Sequence, residues 1–125
     1  MDYGQLSLRG HKNKKGKLAV KSKFPLKNKT DLAVAYTPGV AAVSKLIAHD
    51  KSAVYSHTIK ANSVAVISDG SAVLGLGNIG PAAALPVMEG KAILFKKFAD
   101  IDAWPICLDT QDPEKIIETI KYIAP

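Results

Sequence analysis

The stretch from Val64 to Pro81 limits what this chain can become more than any other. An apolar run, Val64-Ala65-Val66-Ile67-Ser68, meets Asp69-Gly70; then comes Gly75-Leu76-Gly77-Asn78-Ile79-Gly80-Pro81, and after it a long helical pattern. Short β-branched runs cut by glycine and followed by a helical period specify strand, turn and helix in series. The fold class is therefore α/β, a single domain with a small mixed sheet flanked by helices and a basic N-terminal arm.

Asp69-Gly70 lies between two apolar runs, the second being Ser71-Ala72-Val73-Leu74, which is the pattern of a tight hairpin with antiparallel arms. The glycine run itself satisfies G-x-G-x-x-G, in which a strand feeds a glycine turn and a helix N-terminus holds a pyrophosphate. Gly75, Gly77 and Gly80 are thus candidate cofactor-binding residues, with Asp100 and Asp102 at the distance of a ribose-binding acid. A hairpin before the glycines and Pro81 directly after them argue against that parallel unit, and favour a structural or substrate-side role.

Elsewhere, Leu18 to Phe24 alternates imperfectly before Pro25 and predicts a short edge strand. Thr37-Pro38 predicts a helix start, with Val40, Val43, Leu46 and Ile47 on one face and an end near Asp50. A strand is expected at Trp104 to Leu108. Asp112-Pro113 opens a last helix whose Ile116, Ile117, Ile120 and Ile123 face inward.

With 125 residues, 47% of them hydrophobic, the chain has the material for one core and no second domain. Cys107 is its one cysteine, so no intramolecular disulfide forms and a reducing, cytoplasmic setting is expected. No run approaches the length of a membrane span, and the start lacks a signal peptide's apolar segment. Residues 1–30 hold nine of the 17 Lys and Arg and one acid, a formal +8. Such an arm could steer an anionic substrate or touch nucleic acid, but without interleaved aromatics or a zinc-finger spacing nucleic acid is disfavoured, and a solvated, partly mobile terminus is expected. His11, His49 and His57 lack ligand spacing, and no metal is assigned to this chain.

Lys91 is the candidate with the most chemistry. At helical spacing from it stand Val87, Met88, Leu94, Phe95 and Phe98, all apolar, whereas Lys96 and Lys97 point to the outer face. A lysine enclosed by apolar neighbours favours its neutral amine and becomes a base. On the pattern alone, a stem lying on apolar surface with its head in water is the commoner case. Asn78 could hydrogen-bond a carboxylate or simply serve its turn, and Asp109 could stand at a strand's carboxyl end or in a turn.

Three segments, Leu32 to Ala41, Thr58 to Pro81 and Leu85 to Thr110, resemble the N-terminal domain of the malic enzymes of short bacterial type. The resemblance implies residues 31–125 as that domain behind the 1–30 arm. It implies Tyr36 and Lys91 as catalytic acid and base; Lys91, with Asn78 from the reading of its loop, is also a candidate substrate-binding residue. It further implies oxidative decarboxylation of malate to pyruvate and CO₂, NAD or NADP with Mg²⁺ or Mn²⁺ in the complete enzyme, and a homodimer. Tyr36 is placed just before the Thr37-Pro38 helix start, where the dipole would favour partial phenolate character. Ala61 departs from the glycine expected before Asn62. In the family the acidic metal ligands and the dinucleotide domain follow the point where this sequence ends, so this polypeptide is expected to bind neither cofactor tightly and to be inactive alone. The alternative is a non-catalytic interaction or dimerisation module.

Overall fold

The computed structural model describes residues 1–124. Along the chain run α1 (Tyr3–Lys14), α2 (Lys29–Ala35), α3 (Val40–His49), a 3-10 turn at Lys51–Ala53 and α4 (Val54–His57). A second 3-10 turn at Ile59–Asn62, β1 (Ser63–Ser68), α5 (Gly80–Ala99), β2 (Asp102–Cys107) and α6 (Pro113–Ile123) complete it. These elements fall into two compact units, residues 1–18 together with 64 onward, and Ala19–Ser63.

In the first unit β1, α5 and β2 form one β-α-β crossover. The two strands are hydrogen-bonded neighbours in a two-stranded parallel sheet, and the Leu108 N–H donates to the Ser68 carbonyl at 2.8 Å where both strands end. A 20-residue helix between neighbouring strands is the kind of connection parallel pairing requires. The predicted hairpin does not form. Residues 71–74 are turn and bend, because the Asp69 carboxylate captures the Ser71 amide and the Val73 N–H bonds the Gly77 carbonyl. The edge strand predicted at Leu18 to Phe24 is also absent; that stretch has no regular structure.

α5 packs on β2 through Ala84, Met88 and Ala92, which recur every four residues and are buried. Two alanines on this stripe let the helix axis come close to the strand. The large apolar residues, Leu94, Phe95 and Phe98, are exposed instead, Phe98 at 81%. Pro86 lies inside the helix rather than at its start, which Pro81 occupies. A proline inside a helix removes one backbone bond and costs about 3 kcal/mol, so α5 depends on its packing.

The N-terminal arm, expected to be mobile, carries a helix. Asp2 caps it by accepting the Gln5 N–H at 3.1 Å. Lys15 at φ 56° and Gly16 at φ 96° close it, both amides turning back to the His11 carbonyl, a common left-handed helix stop.

α6 starts where its sequence directs. Asp112 is the cap and accepts the Glu114 N–H at 3.0 Å, with Pro113 first in the helix. Of its isoleucines only Ile116 is half-buried; Ile117, Ile120 and Ile123 are exposed, as is Trp104 in β2. The periodic face exists, but no element of this unit covers it. Replacing Asp112 with Ala is expected to cost about 1 kcal/mol, read as a lowered midpoint in urea unfolding.

In the second unit α2 and α3 meet at a corner. Asn28 caps α2 by accepting the Asp31 N–H at 2.8 Å. The predicted start at Thr37-Pro38 is displaced: that bond is cis, Gly39 is the cap of α3, and the helix begins at Val40. Its end at His49, with Asp50 as C-cap, is where the sequence puts it. Lys29–His49 is long and apolar enough, by length and composition, to cross a membrane, contrary to the sequence reading, although two separate helices divide it at residues 36–39.

Candidate active site

Ligands of α/β folds gather where parallel strands end, and the loop leaving β1 is tied there by its own side chains. The Ser68 hydroxyl accepts the Gly70 N–H at 3.1 Å. One oxygen of Asp69 accepts the Ser71 N–H at 3.0 Å and its hydroxyl at 2.8 Å. These two bonds, the backbone one first, hold the Asp69 carboxyl below the usual carboxylate range. A group of this kind adds stability above its unfolded-state value and loses it as the pH falls through its folded one. Acidification through that lowered range is therefore expected to reduce the protection of the Ser71 amide, relative to its intrinsic exchange rate, before that of the β1 amides.

Gly70 is the knot of this loop. It is buried, with φ 74°, and its carbonyl accepts both the Ile79 and Gly80 N–H, at 3.1 and 3.2 Å. The start of α5 is thereby fixed to the end of β1. Val73, 4% exposed, plugs the loop from inside, while Gly75, Gly77 and Asn78 are exposed.

The glycine run does stand between strand and helix of a parallel unit, so the hairpin objection falls. Two other features separate it from a dinucleotide fold. Gly75 comes seven residues after β1 ends rather than in the first turn. Asp102 opens β2 at the sheet's other end, where Lys96 pairs with it at 3.1 Å and with Asp100 at 2.6 Å. Among the described residues no three His, Cys, Asp or Glu side chains converge to hold a metal ion.

Lys91 lies in α5, one residue before buried Ala92, and its side chain is exposed. The apolar enclosure expected around it is not built here: α5 turns its alanine stripe to the sheet and leaves the Lys91, Leu94 and Phe98 side open. Tyr36, in the second unit, is the C-cap of α2, not the lead-in to α3, and is 66% exposed. Its N–H donates to the Leu32 carbonyl at 2.9 Å and its carbonyl accepts the Val40 N–H at 2.7 Å, so both flanking helices hold its backbone. Gly39 completes the corner, since a Cβ there would come within 2.7 Å of the Ala33 carbonyl oxygen.

Residues 15–124 match the family model of the malic enzyme N-terminal domain. The chain belongs to the malic enzyme family. It is 63% identical over 110 residues to the NAD-dependent malic enzyme of Geobacillus stearothermophilus, covering 88% of this chain and 23% of that one. To the bifunctional malic/malolactic enzyme of Bacillus subtilis it is 56% identical over 125 residues, all of this chain and 30% of the relative. The malic enzyme of Pyrococcus horikoshii superposes with a TM-score of 0.94 at 53% identity, over 97% of this chain and 29% of that one. Other relatives are NADP-dependent malic enzymes. The chain thus spans about a seventh to a third of the length of the malic enzymes it matches.

Two features of this malic enzyme domain lie outside the sequence patterns described above. One is the Asp69-Ser71 turn, legible as an aspartate two residues before a serine. The other joins Lys17 to Glu89 across 72 positions, a pairing no local pattern shows. Cys107 is half-buried at the end of β2, and burial pushes its thiol up. Alkylation at neutral pH is expected to be slower than for a free cysteine.

Proposed function

We propose that this chain is the acid-base-bearing part of an NAD(P)-dependent malic enzyme that oxidatively decarboxylates malate to pyruvate and CO₂. The observation that carries this is the family match over residues 15–124, together with relatives named NAD- or NADP-dependent malic enzymes. The organisation proposed is a basic arm at 1–30 and the malic enzyme domain at 31–125. Polypeptide beyond this chain supplies the metal ligands and the dinucleotide domain. The complete protein is cytoplasmic and homodimeric, with neither membrane nor nucleic acid as partner.

In that reading Lys91 Nζ takes the proton of the malate hydroxyl as the alcohol is oxidised, and Tyr36 Oη delivers a proton to the carbon of enolpyruvate after CO₂ has left. The hydride acceptor and the Lewis acid come with the rest of the protein. Asn78, exposed on the loop before α5, is proposed to hydrogen-bond a substrate carboxylate. Alone the chain is not expected to turn over malate.

The test is a graft. This chain replaces the 110 matching residues of the Geobacillus stearothermophilus enzyme, and the folded product is given malate, Mn²⁺ and NAD⁺. Formation of pyruvate and reduced cofactor is expected; a well-folded graft that makes neither rules the reading out.

The exposed apolar side of α5, with Leu94 at 53% and Phe98 at 81%, favours a second reading, a non-catalytic interaction module. It predicts self-association in sedimentation at rising concentration. A strict monomer without affinity for a full-length malic enzyme excludes it.

A further inference from the structure

The turn of α5 that leads into Lys91 is the one its own sequence supports least. Pro86 lacks the N–H that would bond one turn back, and Gly90 adds backbone freedom just before the lysine. Support comes from the end of the N-terminal helix. Glu89 Oε2 accepts the Lys17 backbone N–H at 3.3 Å, and Lys17 Nζ donates to the Pro86 carbonyl at 2.9 Å. Lys17 is itself held, because its Nζ also meets His11 Nε2. The His11 Nδ1–H points to the Ser7 carbonyl at 2.7 Å, which leaves Nε2 as the acceptor. Gly16 suits the turn into this contact: its φ of 96° favours glycine, and a Cβ there would stand 2.8 Å from Glu89 Oε1. His11, Gly16, Lys17 and Glu89 are all half-buried.

We propose that Lys17 and Glu89 are positioning residues, a strap that keeps residues 86–90 helical so that the Lys91 side chain leaves α5 in one direction. Neither touches substrate. The proposal rests on Lys91 being the base, and deepens that assignment by naming what aims it. A carboxylate accepting a backbone N–H and an ammonium donating to a carbonyl are charge-assisted bonds. They join the end of the N-terminal segment to α5 across 72 positions.

Hydrogen exchange on the full chain tests the strap directly. Glu89→Ala installs a better helix former, yet is expected to speed exchange of the Gly90, Lys91 and Ala92 amides about tenfold, with those of α6 unmoved. Lys17→Met is expected to act alike, and Lys17→Arg to restore protection. If Glu89→Ala loosens α6 as well, Glu89→Gln, which keeps an oxygen acceptor, replaces it, with a rise of about threefold expected at the same three amides. Unchanged exchange at these amides in both Lys17→Met and the Glu89 variant overturns the strap.

In the graft described above, both variants are expected to lower kcat about tenfold with KM for malate within twofold, because aim and not binding is lost. Faster exchange with unaltered kcat, in a graft that Lys91→Ala inactivates, overturns the positioning role. If Lys91→Ala itself leaves turnover intact, the base assignment is what fails, and exchange still decides the strap.

Discussion

Replacing Lys91 with alanine in the grafted enzyme is expected to lower malate turnover about 10³-fold, within the range of a lost general base. Protein stability is expected to move by less than about 0.5 kcal/mol, because the side chain is exposed and lies off the buried stripe of Ala84, Met88 and Ala92. That separation of activity from stability is what makes the variant informative. Lys91→Arg keeps the charge but not a readily deprotonated amine, so it is expected to be nearly as inactive. Initial rates of NADH formation read the loss, and urea midpoints read the stability. A loss below tenfold with saturating malate would place the base elsewhere.

Features written in adjacent residues were legible, and features that depend on distant ones were not. α6 followed from Asp112-Pro113 because a cap and a first-turn proline act within one turn. The hairpin at Asp69-Gly70 failed for the opposite reason. Its local pattern was sound, but β1 found a parallel partner some 40 residues on, and the Asp69 side chain satisfied the amide that a second arm would have used. The helix ending at Lys14 was not legible because it buries no residue and carries no apolar stripe. For α5 the error was a rotation. Bulk drew attention to Leu94, Phe95 and Phe98, whereas the helix buries its smallest residues and shares only Met88 with the expected face. Lys91 lies at helical spacing from large apolar residues, as the sequence shows, but that face is exposed within this chain. The family resemblance gave the lysine its role, and the strap from Lys17 to Glu89 lay beyond any periodicity.

Gly70→Ala is expected to destabilise the protein by about 4 kcal/mol, a large share of the stability of a domain this size. Two costs combine. At φ 74° an alanine occupies the left-handed region, worth about 1–2 kcal/mol by itself. Its methyl would also lie 2.1 Å from the Gly80 carbonyl oxygen and 2.3 Å from the Gly80 carbonyl carbon. Those are backbone atoms, so nothing can swing aside. Relief requires parting the loop from the start of α5, which breaks the bonds from the Ile79 and Gly80 amides to the Gly70 carbonyl and exposes buried acceptors. Gly75→Ala is the control. It has nearly the same φ, 73°, but a Cβ there meets nothing within 4 Å, so about 1–2 kcal/mol is expected. Urea unfolding of the two variants separates strain from collision. Equal losses would show that the close approach of Gly70 to Gly80 does not hold β1 to α5, and the geometry that presents Asn78 and Lys91 would then need another anchor.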